Sequence, residues 1–315
     1  MGGIDVLIGA LAVGVAGLLE VGVAEPPRRA HPVAWFGRAV APLDRTWEYP
    51  RPVGLVGAAV LPLAAAVAVG GAVALAATAH LRLGAPAAGL ALFATTSLRM
   101  LLGEARAVVA ASEIDLDLAR RDLRALAGRD ADALSAGEVR SAAVESAAEN
   151  LADGLVGPLL FFVVGVAGAA VAGAPTAAAL AAGAGGAAWV KAVNTMDSML
   201  GYRSKPVGWA PARLDDAVQW VPARVAALAL AVAAARPRSL ADARDWLDAV
   251  PSPNSGWPMG TLAAAAGCRL TKPGAYDLNP DADLPDAETA RGAVRTVALA
   301  GALSYLLAAG VVAWL

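Results

Sequence analysis

Cysteine is almost missing from this chain. Cys268 stands alone, which excludes an intramolecular disulfide and any cysteine-based metal cluster. Charge is scarce as well: Asp, Glu, Lys and Arg make up 17% of the residues, below the share in an ordinary soluble domain. The net charge of −2 argues against nucleic acid as a partner. Lysine occurs three times against 22 arginines. Familiar catalytic signatures are absent too. No G-x-x-x-x-G-K-[ST] occurs, so the run GAGGAAWVK is not a P-loop, and neither G-x-S-x-G nor H-E-x-x-H is present. There is no 20–50-residue repeat and no low-complexity linker; the Asp- and Pro-rich stretch 281–290 reads as a surface loop.

What is abundant is apolar sequence. Hydrophobic residues make up 58% of the chain and the mean hydropathy is +0.57. They gather in runs at 4–24, 53–79, 85–102, 155–173 and 293–315, with a weaker Ala/Gly-rich run at 174–190. About 20 apolar residues let a helix cross a roughly 30 Å hydrocarbon layer. These runs therefore predict an all-α, polytopic membrane protein rather than a soluble helical protein with buried helices. The first run has no basic residue in Met1–Asp5 and no small-residue cleavage site, so it is expected to be retained as a helix.

Orientation follows from Lys and Arg, which concentrate in cytoplasmic loops. With the N-terminus outside, 24 of the 25 fall inside and only Arg82 lies outside, provided that the apolar stretch 225–235 does not cross. That stretch is short and flanked by Arg224 and Arg236, which predicts a buried or re-entrant helix. The expectation is one integral membrane domain over 1–315 with about six transmembrane helices. Its cytoplasmic segments would be 26–52, 103–150 and 191–292. Within the second, Ser135 and Glu138 fit a capping box, predicting a helix that starts near 136 and runs into the membrane.

Four polar groups stand out. In ESAAENLADGLVGPLLFF, Glu145, Glu149 and Asp153, beside Asn150, share an arc of about 80° if the segment is α-helical throughout. Like charges at i, i+4 disfavour a helix, and a charge at the bilayer centre costs roughly 2.5–3.5 kcal/mol. A cation offsets both costs, and oxygen ligands suit Mg²⁺ bridging one or two carboxylates to phosphates. The plain alternative is a solvated helix end paired with Arg. In KAVNTMDSMLGYRS, Lys191, Asn194 and Ser198 lie within about 60° of one another on a helix, with Asp197 on the adjoining strip. Lys191 and Lys205 fall within this short region of a lysine-poor chain, which suits phosphate contact; positive anchoring of a helix end is the alternative. Third are Arg213, Asp215 and Asp216, where one acid serves a site and its neighbour pairs with Arg213 or Arg224. Fourth are the loops HPVAWFGR, with His31 and Arg38, and SPNSGWP, with Asn254 and Ser255. Cys268 carries no functional reading. From residues alone, a membrane enzyme handling a phosphate-bearing substrate with a divalent metal and a transporter with an intramembrane ion site both fit.

The blocks HPVAWFGR, ESAAENLADGLVGPL, KAVNTMDSMLGYRS, GWAPARLDDAVQWVPAR and SPNSGWPMGTLAAAAGCRL, in that order over residues 31–270, resemble the CobD/CbiB cobalamin biosynthesis proteins, the adenosylcobinamide-phosphate synthases. Where that family has Gly-Asp-Pro ahead of the His-Pro block, this chain has Ala24-Glu25-Pro26, keeping the acid and losing the Gly. The resemblance implies ATP-dependent amide ligation of adenosylcobyric acid with aminopropanol phosphate, at the cytoplasmic face of a bacterial inner membrane. It leaves open self-association or association with other corrinoid-pathway membrane enzymes. Combined with residue chemistry, it yields an expected site. Glu145, Glu149 and Asp153 would hold Mg²⁺ with ATP, and Asn194 and Asp197 would complete the metal shell or orient the amine. Lys191, Arg203 and Arg213 would bind phosphate, with His31, Arg38, Asp216 and Asn254 as further substrate contacts. A prenyl or CDP-alcohol transferase, faintly echoed by NTMD and ENLADG, is the alternative chemistry.

Overall fold

The computed structural model describes residues 3–23, 29, 31–127 and 130–315. Glu25 of the departing motif lies outside the described residues. In chain order the first helices are α1 (Gly3–Gly22), α2 (Pro32–Val40), α3 (Pro50–Ala79), α4 (Leu81–Phe93), α5 (Leu98–Ile114) and α6 (Leu116–Ala127). Next come α7 (Ala136–Leu151), a π-helical turn (Ala152–Val156), α8 (Gly157–Val171) and α9 (Thr176–Leu200). After them come α10 (Trp209–Val218), α11 (Trp220–Ala233), α12 (Ser239–Asp242) and α13 (Gly256–Ala266). The hairpin strands β1 (Leu270–Lys272) and β2 (Tyr276–Leu278) precede α14 (Ala287–Trp314).

Among the described residues, five stretches are helical, long and apolar enough to cross a bilayer: Pro50–Ala79, Leu81–Ile114, Ala136–Val171, Thr176–Leu200 and Ala287–Trp314. The chain is a polytopic helical membrane protein. α10 and α11 reach spanning length only as one span broken near Gln219, so α11 alone is as short as expected for 225–235. The weak run at 174–190 reaches spanning length because its helix continues through Lys191 to Leu200. The capping box is present as expected. Ser135 Oγ accepts from the Glu138 N–H, and Glu138 Oε2 accepts from the Ser135 N–H at 2.7 Å.

Internal contacts gather into two compact units. The first comprises Met1–Ser97, Asp153–Gln219 and Tyr305–Leu315, and the second Leu98–Ala152 and Trp220–Ser304. In the first unit, small residues bring the spans together, as is usual where lipid removes the hydrophobic drive between helices. A Cβ on Gly70 would sit 2.8 Å from the Ala181 carbonyl oxygen, and one on Gly186 2.6 Å from that of Phe161. The run GAGGAA thus lets α9 pack between α3 and α8. A buried polar contact ties together α1, the break after α4 and the end of α14. Thr96 Oγ1 donates to Glu20 Oε2 at 2.8 Å and accepts from the Tyr305 hydroxyl at 3.1 Å. Val40 of α2 packs on Met196 and Leu200 of α9, together with Val207.

In the second unit, α7 packs against α5, α6, α13 and β1. The hairpin pairs Leu270 with Leu278 and Lys272 with Tyr276 around the turn Pro273-Gly274-Ala275. Gly274 takes φ +75°, where a side chain would strain the backbone. Arg140 of α7 donates from Nε to the Pro285 carbonyl at 2.8 Å, securing the loop that leads into α14.

Candidate functional site

In the second unit, a polar pocket of about 310 Å³ forms where the end of α7 faces the hairpin and the loop before α13. Ser146, Glu149 and Asn150 line it from α7, Ser252 and Ser255 from the loop, and Lys272 and Tyr276 from the hairpin. Asn150 Nδ2 donates to the Ser146 carbonyl at 3.0 Å, and Ser146 Oγ donates to the Leu126 carbonyl at 2.9 Å. Ser252 Oγ accepts from the backbone N–H groups of Asn254 and Ser255 at 3.2 and 3.3 Å, which sets the loop's turn. Arg224 clamps the same loop from α11. Its guanidinium lies over the rings of Trp220 and Trp257, 4.2 and 5.2 Å from their centroids, and donates to Asn254 Oδ1 at 2.9 Å and the Pro253 carbonyl at 3.2 Å. Asn254 is therefore buried in the loop's own framework.

Glu145 plays a different part from the one its spacing suggested. It is 1% exposed, and its two oxygens accept from Ser141 Oγ and the Tyr276 hydroxyl, each at 2.8 Å. Ser141 Oγ in turn accepts from the Thr271 N–H at 2.7 Å. This chain of bonds fastens both hairpin strands to α7 and so positions Lys272 and Tyr276. The π-helical turn begins at Ala152, so Asp153 sits in π-helical backbone while Glu145 and Glu149 sit in α7. Asp153 also belongs to the first unit, whereas Glu145 and Glu149 belong to the second. Among the described residues, no three His, Cys, Asp or Glu side chains are gathered to hold a metal ion.

In the first unit, the cluster on α9 and α10 divides. Asp197 and Asp216 lie within electrostatic reach of each other, and Arg213 within reach of Asp216. Asp215, the adjacent acid, is buried. Gly201 is required beside this group, since a Cβ there would overlap the Asp197 carboxylate. Thr195 and Ser198 spend their hydroxyls on the carbonyls of Lys191 and Asn194 at 2.7 and 2.9 Å. His31 caps α2, its Nδ1 accepting from the Val33 N–H at 3.2 Å. Burial, and secondarily the Lys191 ammonium, hold its pKa below the ordinary value. Lys191 itself lines an apolar cavity. Arg38 and Arg203 are exposed. Lys205, the other lysine of this block, pairs with Asp44 at 2.8 Å. Cys268 is buried, and burial first, then the Asp286 charge, pushes its thiol up to about 11, as befits an inert side chain.

The donor set of the polar pocket is one carboxylate, one carboxamide, hydroxyls and one ammonium. It fits a Mg²⁺ that keeps most of its shell as water and phosphate, and it does not fit a cage built wholly of protein ligands.

The family model for the CobD/Cbib protein matches residues 13–305. The chain belongs to this family. The relatives agree. It is 35% identical over 307 residues to the probable cobalamin biosynthesis protein CobD of Methanothrix thermoacetophila, covering 93% of each chain. It is 33% identical over 312 residues to the same-named protein of Methanothermobacter thermautotrophicus, covering 94% of this chain and 96% of that one. With the cobalamin biosynthesis protein CobD of Klebsiella pneumoniae the identity is 35% over 283 residues, covering 84% and 83%. No solved structure matches. Membership in the CobD/Cbib family places the chain in cobalamin biosynthesis. The family-like blocks map onto α2, the α7–α8 junction, the end of α9, α10–α11 and α13. Lys272 and Tyr276 lie outside those blocks, and sequence reasoning missed them. Their signal was Leu-Thr-Lys-Pro-Gly-Ala-Tyr-Asp-Leu, two short strand-like runs around a Pro-Gly turn.

Proposed function

We propose that this CobD-family protein is an acid–amine ligase of the inner membrane. It would join the carboxylate of adenosylcobyric acid to the amine of aminopropanol phosphate at the expense of ATP, on the cytoplasmic side. The observation that carries the reading is the polar pocket of the second unit. There Glu149 and Lys272, of opposite charge, share about 310 Å³ with three serines and an asparagine, held by the Glu145 and Arg224 networks. Such a pocket suits phosphate-bearing ligands, and family membership supplies the pathway.

A carboxylate resists attack by an amine until one oxygen is made a leaving group. A phosphoryl group transferred from ATP to that oxygen does this. The amine nitrogen then forms the C–N bond as the C–O bond breaks, phosphate departs with the electron pair, and the nitrogen gives up its proton. Little covalent work falls to the protein, so positioning and charge neutralisation are its main contributions. Lys272 and the Ser252 and Ser255 hydroxyls would bind phosphate oxygens. Glu149, with Asn150, would hold Mg²⁺, which when bound neutralises phosphate charge.

The test is purified protein in detergent with cobyric acid, aminopropanol phosphate, ATP and Mg²⁺, followed by the mass of the corrinoid. The expected product is heavier by aminopropanol phosphate less one water. Folded protein that leaves the corrinoid mass unchanged refutes the ligase reading.

A further inference from the structure

The first unit holds a cavity of about 520 Å³ that the ligase reading leaves unused. Its walls come from three membrane-spanning stretches, by Ala72 of α3, Leu90 of α4 and Ala188 of α9, and α2 closes one side with Trp35 and Phe36. Volume and lining are those of a ligand site, apolar with few polar groups. Among the described residues that line it, Lys191 is the one that carries a charge. A water-soluble ligand would find little there to replace its hydration, whereas a hydrocarbon chain with an anionic head matches both the walls and the lysine.

Three observations make the bilayer the source of that occupant. The walls are themselves membrane spans, so lipid is the apolar molecule at hand. Trp35 is half-exposed and its indole Nε1–H donates to the Arg29 carbonyl at 2.8 Å, the interfacial placement usual for tryptophan. Arg38, on the same α2 that closes the cavity, adds an exposed cation that favours anionic headgroups. We infer that this cavity is a specific site for one acyl chain of an anionic phospholipid whose phosphate faces Lys191.

The experiment is purification of the full chain in mild detergent, then extraction and mass-spectrometric quantification of retained lipid against the lipids of the source membrane. One phospholipid per chain is expected, enriched in anionic headgroups. Filling the cavity with Ala72→Leu and Ala188→Leu should cut retention roughly tenfold, while Val164→Leu, on an exposed part of α8 away from the cavity, leaves it unchanged. If the filled variant does not fold, Lys191→Gln serves instead, and is expected to abolish the headgroup preference in a monodisperse protein. Retention that survives filling, a headgroup preference that survives Lys191→Gln, or recovery of a polyprenyl phosphate in place of a phospholipid overturns the proposal.

Discussion

The first unit encloses about 520 Å³ behind alanines, valines and one lysine, while the second encloses about 310 Å³ behind serines, an asparagine, a glutamate and a lysine. They are also held together differently. Helices of the first meet through glycines that let backbone touch backbone. The second is tied by side-chain hydrogen bonds, above all those of buried Glu145 and of Arg224 to buried Asn254. Close backbone contact is tolerant of chemistry and intolerant of volume, whereas a buried hydrogen-bond network has the opposite sensitivities. The polar unit is therefore where single-atom changes should alter function, and the apolar unit where single-methyl changes should alter stability.

The largest effect expected is on chemistry. Glu149→Gln keeps volume and removes charge, so turnover in the ligation assay should fall by about 100- to 1000-fold with the thermal unfolding of the detergent-solubilised protein unchanged. Near wild-type turnover would remove Glu149 from the site. Next is Gly208→Ala in the first unit. The added Cβ would overlap the Leu200 carbonyl oxygen, and the backbone shift this forces should cost about 3 kcal/mol in unfolding. In the second unit, Glu145→Ala should cost about 2 kcal/mol by orphaning the Ser141 and Tyr276 hydroxyls. Glu145→Gln, which keeps an acceptor, should cost less. Equal losses for the two Glu145 variants would mean that volume and not hydrogen bonding holds the hairpin, and the contrast between the units would fail.

Much of this was legible in the chain. Apolar runs announced the spans, and the Ser135–Glu138 box placed the start of α7 at Ala136, because capping is a local interaction. The π-helical turn was not legible: nothing in Ala-Asp-Gly-Leu-Val distinguishes i→i+5 from i→i+4 bonding, so an α-helical wheel drawn through Asp153 assumed a different backbone. Nor was the partition into two units, since the chain passes from one to the other at Ala152–Asp153 and again within α14, between Ser304 and Tyr305, with no linker to mark the change. Glu145 was picked out correctly as a carboxylate needing explanation. Its explanation, Tyr276, lies 131 residues away, where no local pattern points back to it.

The smallest effect expected is a pH dependence in the apolar unit. His31 Nδ1 accepts the Val33 N–H, so the folded state holds the neutral ring with its proton on Nε2; protonating Nδ1 breaks the cap of α2 and places a second cation near Lys191. Burial and then Lys191 lower its pKa below 6.5, so around pH 6 the unfolded chain binds more protons than the folded one. Stability from this group is thus complete above 6.5 and is lost as pH falls through the depressed folded value. His31→Asn offers Oδ1 as a cap acceptor with nothing to titrate. It should match the wild type in thermal unfolding at pH 7.5 and lose less on acidification to pH 5.5. An identical acid sensitivity in the two proteins would show that groups other than His31 set it.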